Sequence, residues 1–180
     1  MSSKQRTPPP LWVAAVHAVS RCFGVFAAAL MVLSIIVVCH MVFVRAVLGQ
    51  SSIWQTEFVT FSLVAATFLG APFILLSRGH VCVDVVPLML ATSARRRLHF
   101  VGSVVALAFC MVFLYAAVPW WWDAWSTGQT TSSIWRARMW IPMLSVPVGL
   151  GLLCLQYLAE IWLVLSRQAL PFGLSAEDTL

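Results

Sequence analysis

Four acidic side chains lie in or beside long apolar stretches of the sequence, where ionisable groups are costly and are candidates for function: Glu57, Asp84, Asp123 and Glu160. A carboxylate near the middle of a membrane could bind a coupling proton or cation, as some transporters require. Glu57 and Asp123, however, fall at the ends of apolar stretches, and Asp84 falls between two of them. Glu160 lies about two helical turns before Arg167, near the end of the last stretch. We therefore predict structural or interfacial roles for these acids, with Glu160 either reaching the membrane surface or pairing with a basic group.

The four histidines raise a second chemistry, because a pair of histidines at one depth can hold a haem iron from both sides. His40 falls towards the end of the first apolar stretch, whereas His99 falls at the start of the third. In a bundle of membrane helices these two side chains lie in opposite leaflets and cannot ligate one iron. His17 and His80 lie outside the apolar stretches or at their rims. The sequence therefore predicts no haem site and no other cofactor.

Motifs of soluble enzymes are absent from the sequence. It contains no G-x-S-x-G elbow, no P-loop and no H-E-x-x-H motif. The five cysteines form no C-x-x-C pair, and four of them lie in apolar segments, where cysteine usually packs as a small hydrophobic residue. We therefore predict that the protein is not an enzyme and has neither a catalytic site nor a metal site.

The composition indicates a membrane protein. Of the 180 residues, 61% are hydrophobic and 9% are charged, whereas about a quarter of the residues of a soluble domain are charged. The mean hydropathy is +0.92. The net charge of +5 does not indicate nucleic-acid binding, because the basic residues lie between apolar stretches and do not form one face.

Four apolar stretches are long enough to cross about 30 Å of hydrocarbon, which takes about 20 helical residues. No stretch shows the period-two alternation of a membrane β-barrel. We therefore predict an all-α membrane protein with four transmembrane helices. The predicted parts are a polar N-terminal tail (1–20), a membrane domain (21–166, with spans at about 22–48, 54–77, 98–122 and 140–165) and a C-terminal tail (167–180).

The distribution of basic residues predicts the orientation of these spans. Eight of the 11 lysines and arginines fall on one side, before the first span, between the second and third spans, or after the fourth. By the positive-inside rule, both termini and the middle loop are cytoplasmic. Tryptophan prefers the membrane interface, and seven of the nine tryptophans cluster at the opposite, outer end. They are Trp54, Trp120, Trp121, Trp122, Trp125, Trp135 and Trp140.

Local signals predict the connections. In the middle loop, Asp84 can cap a short helix with Pro87 in its first turn. This amphipathic helix is expected to lie flat on the cytoplasmic surface, with Arg95, Arg96 and Arg97 after it. Gly49 is expected to end the first span, and Gly128 allows a turn in the outer loop.

Small and kinking residues predict how the spans pack. Pro142 and Pro147 are expected to bend or break the start of the fourth span. Small residues four positions apart are expected to let helices approach closely. These pairs are Ala66 with Gly70, Gly102 with Ala106, and Ser145 with Gly149.

The order of these features resembles the small permease subunit of TRAP (tripartite ATP-independent periplasmic) transporters, the DctQ-like family. The similarity extends from roughly Gly49 to Trp162. Its motifs are SIWQTE at 52–57, FLGA at 68–71, RGHVCVD at 78–84, Gly128 and Ser132, WIP at 140–142 and PVG at 147–149. One departure is Thr56, which stands where the family commonly has the first of two acids, so no role that needs two carboxylates is expected there.

The resemblance implies a membrane subunit with partners in the bacterial inner membrane. The large TRAP membrane subunit would hold the substrate and sodium sites and move as an elevator, and a periplasmic substrate-binding protein would deliver an organic acid. The small subunit would scaffold and anchor the large one in lipid and help to dock the binding protein. The residues expected at these interfaces are Trp54, Glu57, Gly70, Arg78, Gly79, His80, Asp84, Gly128, Pro142 and Pro147.

Three alternatives remain open at this point. The first is an autonomous four-span exporter coupled to protons through Glu57 or Glu160. The second is the haem-binding membrane anchor of a respiratory oxidoreductase. The third is the small subunit of the other tripartite carboxylate transporter family, which differs in sequence pattern but hardly in role.

Overall fold

The computed structural model describes residues 10–50, 53–77 and 92–166, and this part of the chain is helical. The only other regular feature within those ranges is an isolated bridge between Thr130 and Arg138. The helices are α1 (Leu11–Leu48), α2 (Trp54–Leu76), α3 (Thr92–Ser126), α4 (Trp140–Met143) and α5 (Ser145–Leu165).

Four helical segments are long and apolar enough to cross a membrane, as predicted. They are Leu11–Leu48, Trp54–Leu76, Arg96–Ser126 and Trp140–Leu165. The prediction of an all-α protein with four spans is therefore confirmed. The orientation of the spans stays a prediction, and the amphipathic helix expected around Asp84 lies outside the described residues.

The first helix starts earlier than the sequence predicted. It begins at Leu11, although residues 1–20 were expected to form a polar tail. Its 38 residues correspond to about 57 Å at 1.5 Å per residue, which exceeds the hydrocarbon thickness of about 30 Å. The helix ends as predicted at Gly49, which has a φ of 62° and donates its N–H to the carbonyl of Val44.

The spans pack side by side in the order α1, α2, α5 and α3. Helices α1 and α2 form a tightly packed hairpin, and α5 contacts both α2 and α3. Helix α1 contacts α5 less extensively, partly through the edge-on rings of Trp12 and Trp162, whose centroids are 5.8 Å apart. Helices α1 and α3 therefore flank the bundle and leave many of their apolar side chains exposed.

Small residues allow the closest helix contacts. Gly149 of α5 packs on the backbone carbonyl of Phe68 in α2, and Gly24 of α1 packs on the ring of Phe73. Ala66, Gly70, Ser145 and Gly149 are all buried, which confirms the predicted packing faces on the second and fourth spans. The prediction is wrong for the third span, because Gly102 is exposed with no atom near the position of a Cβ.

The fourth span is interrupted at Leu144, between α4 and α5. Pro142 and Pro147 flank this point. Proline lacks the N–H that a helical hydrogen bond needs, so the two residues weaken the helix here. The Ser145 hydroxyl donates a hydrogen bond of 2.6 Å to the carbonyl of Pro142. The predicted disturbance by the two prolines is therefore confirmed.

Candidate partner interface

One end of the bundle carries a cluster of tryptophans, as predicted; we call it the tryptophan-rich end. The rings of Trp121, Trp122, Trp125 and Trp140 form a connected set, with Trp125 and Trp140 edge-on at 4.5 Å. The indole N–H of Trp121 donates to the carbonyl of Trp140 at 3.1 Å. These contacts join the end of α3 to the start of α4.

The loop between α3 and α4, residues 127–139, is a compact structure held by its own hydrogen bonds. Gly128 follows α3 with a φ of 62°, which confirms the predicted turn. The backbone N–H of Thr131 donates to the carbonyl of Ala137, and that of Met139 donates to Gln129, both at 3.0 Å. Arg136 has a φ of 47°, a left-handed conformation that is uncommon outside glycine. The loop therefore presents a defined surface.

Helix α2 starts at this same end with Trp54 and Glu57. The indole of Trp54 is 44% exposed, and its ring centroid lies 6.4 Å from that of His40. The Glu57 side chain is half-buried, and its Oε2 has no hydrogen-bond partner in the described part of the chain. The Oε1 of the buried Gln55 also has none there. Because buried polar atoms are nearly always paired, these two oxygens are candidates for hydrogen bonds to groups outside the described residues.

The opposite end of the bundle, which we call the Arg96 end, carries a second cluster of polar side chains. The guanidinium of Arg96 donates to the carbonyls of Val164 and Leu165 at 3.1 and 3.2 Å, and so caps the C-terminus of α5. The Nε2 of His99 lies 3.7 Å from the carboxylate of Glu160. The expectation that Glu160 pairs with a basic group is therefore confirmed.

The family model of tripartite ATP-independent periplasmic transporters, DctQ component, matches residues 34–167. The chain belongs to this family. No curated protein and no solved structure matches it. The matched range begins at Ser34 and extends over α2 to α5.

This DctQ component is the small subunit of a TRAP transporter, a multi-pass protein of the bacterial inner membrane and not an enzyme. Members of its family work with a large membrane subunit and a periplasmic binding protein.

In the ranges that the structure describes, no three His, Cys, Asp or Glu side chains come together to hold a metal ion. His40 and His99 lie at opposite ends of the bundle, next to Trp54 and Glu160 respectively.

The predicted interface residues of the DctQ component fall into four groups. Trp54, Glu57 and Gly128 are at the tryptophan-rich end. Pro142 and Pro147 are half-buried at the start of the fourth span. Gly70 requires a correction, because it is buried between α1 and α2, where an added Cβ would lie 3.3 Å from the Cβ of Ala27. It therefore serves the packing of this chain. The fourth group, which lies outside the described residues, is Arg78, Gly79, His80 and Asp84.

Sequence reasoning missed one buried pair. Ser20 of α1 and Gln156 of α5 are hydrogen-bonded to each other inside the bundle. Gln156 could have been noticed, because it is an amide within a long apolar stretch and polar side chains in membrane spans usually bond across helices. Its partner Ser20 gave no signal, since it stood in the predicted tail.

Proposed function

We propose that this DctQ component is the fixed scaffold of a sodium-coupled TRAP transporter and helps the periplasmic binding protein to dock for uptake of an organic acid. The large membrane subunit would bind its exposed apolar surface, and the binding protein would contact the tryptophan-rich end. Sodium coupling and the organic-acid substrate are proposed by analogy with the family. Both sites would lie in the partner subunits.

The placement of the ionisable groups supports a scaffold over an exporter. Glu57 lies in the first turn of α2, and Glu160 pairs with His99 near the far end of the bundle. Neither carboxylate is a lone acid at mid-span, where a coupling site of an autonomous transporter is expected. The positions of His40 and His99 at opposite ends likewise argue against a haem anchor.

The observation that best supports docking at the tryptophan-rich end is the lack of a partner for Glu57 Oε2 within the described residues. A half-buried carboxylate oxygen gains most from a charged or N–H donor, and a second protein could supply one. The neighbouring Trp54, with its exposed indole, would contribute apolar area typical of a protein interface.

The docking proposal is tested by uptake measurements on the complete three-component transporter in vesicles. Glu57→Lys combined with Trp54→Ala should lower uptake and raise the concentration of binding protein needed for half-maximal rate. The matched control is Arg97→Gln, which removes a charge from an exposed side chain at the opposite end of the bundle. Full uptake by the double variant at low binding-protein concentration would contradict docking at this end.

A further inference from the structure

An open cavity of about 860 Å³ runs along one side of the bundle. We call it the lateral groove. Side chains from α1, α2, the 127–139 loop and the start of the fourth span form its walls, among them Phe26, Phe61, Ala65, Leu69 and Val148. The wall is almost entirely apolar, and the volume lies within the range of roughly 300–1,000 Å³ that is typical of ligand pockets.

The length of the groove matches one leaflet of a bilayer. Along α2 it extends from Phe58 to Leu69, a rise of about 16 Å at 1.5 Å per residue. The hydrocarbon core is about 30 Å thick, so one leaflet contributes about half of that. The groove therefore has the length and the apolar wall that one extended acyl chain requires.

One end of the groove is strongly basic. Arg136 and Arg138, both exposed, belong to its wall and lie in the 127–139 loop. No acceptor within the described residues binds either guanidinium. The hydrogen bonds from Thr131 to Ala137 and from Met139 to Gln129 enclose this segment, so its backbone is fixed. A guanidinium binds phosphate oxygens with two parallel hydrogen bonds, and two neighbouring arginines favour an anionic group.

We propose that the lateral groove binds a membrane phospholipid, with its phosphate at Arg136 and Arg138 and an acyl chain along the α2 wall. Two guanidinium groups beside an apolar groove are suited to the phosphate of a lipid whose acyl chain fills the groove. A helix from another subunit fits less well, because it is about 10 Å wide and an apolar helix would leave the two guanidinium groups without an anion. The site belongs to this chain alone and does not depend on the proposed role in transport.

The proposal is tested with the full chain, reconstituted in vesicles of phosphatidylethanolamine and phosphatidylglycerol and extracted in mild detergent. Native mass spectrometry then counts the phospholipids retained per chain. The wild-type chain should retain one, and Arg136→Gln with Arg138→Gln should lower retention by roughly tenfold, about 1.4 kcal/mol. The matched control is Arg21→Gln with Arg97→Gln, which removes the same charge away from the groove and should retain the lipid.

A second variant tests the apolar part of the site. Ala65→Phe fills the groove and leaves both arginines in place, so it should also lose the lipid, while circular dichroism confirms that the chain is folded. Equal retention by the wild-type chain and the arginine variant would overturn the proposal. An equal loss in the control variant would also overturn it, as would a complex with the large subunit in which a partner helix occupies the groove and no lipid is retained.

Discussion

The hydroxyl of Ser20 in α1 donates a hydrogen bond of 3.1 Å to the side-chain oxygen of Gln156 in α5, and both side chains are fully buried. This bond joins the first and last spans of the bundle across 136 residues of sequence. Because the contact between α1 and α5 is otherwise limited, the pair is a specific link between these two helices.

The first prediction concerns this pair. Ser20→Ala should destabilise the purified protein by about 1 kcal/mol, because side-chain hydrogen bonds between membrane helices average about 0.6 and reach about 1.7 kcal/mol. The control is Ser34→Ala, since the hydroxyl of Ser34 bonds only the carbonyl of Leu30 in its own helix. Unfolding in mixed detergent measures both. The Ser20→Ala/Gln156→Leu double variant completes the test. If its loss of free energy of unfolding equals the sum of the losses in the two single variants, the hydrogen bond contributes nothing to stability.

The second prediction concerns Gly149. A methyl group there would collide with the backbone of Phe68, so Gly149→Ala should force α2 and α5 apart. The expected loss is about 1–3 kcal/mol, the usual cost of overpacking. Gly102→Ala is the matched control, because nothing lies near its Cβ position and alanine favours helix by up to about 1 kcal/mol. Thermal unfolding that ranks the two variants in the opposite order would contradict the packing described here.

The third prediction concerns the cap on α5. Arg96→Gln should lose the charge that faces the carbonyls of Val164 and Leu165, at a cost of about 1 kcal/mol. The readout is hydrogen exchange, in which the amides of the last turn of α5 should exchange faster. Arg97→Gln, which changes the neighbouring exposed arginine, should leave that exchange unchanged. Equal protection in both variants would show that Arg96 does not cap the helix.

The fourth prediction concerns the middle loop, where we expect Arg78, His80 and Asp84 to bind the large subunit. Replacing all three with alanine should lower the amount of large subunit that co-purifies, because charged and polar side chains set the register of an interface. The control is alanine at Thr60, whose hydroxyl bonds its own helix at the carbonyl of Thr56. An unchanged yield of complex in the triple variant would contradict the assignment.

The sequence predicted much of the fold because membrane spans depend on one strong physical signal. Long apolar runs gave the four helices, and Gly49, Gly128 and the two prolines gave turns and breaks that the structure contains. The start of α1 was missed because Leu11 to Arg21 includes polar residues that interrupt the apolar run, although they form helix. Partners across helices, such as Arg96 with Val164, were also missed, because they depend on packing between segments far apart in sequence.

The candidate site was predictable only in part. Trp54 and Glu57 were found because a tryptophan and an acid at the end of an apolar run are conspicuous. Gly70 was assigned to a partner surface, yet a small residue serves contacts within a chain and between chains equally well, so the sequence alone could not separate the two. The two arginines of the lateral groove had contributed only to the predicted orientation.

The most direct test of the scaffold role is a pull-down of the tagged chain from a membrane that contains all components of its transporter. Mild detergent preserves the complex, and mass spectrometry identifies what co-purifies and in what ratio. We predict a large multi-span membrane subunit in about equal amount to this chain. A chain that emerges alone or as a homo-oligomer, with the large subunit present in the same membrane, would contradict the central claim.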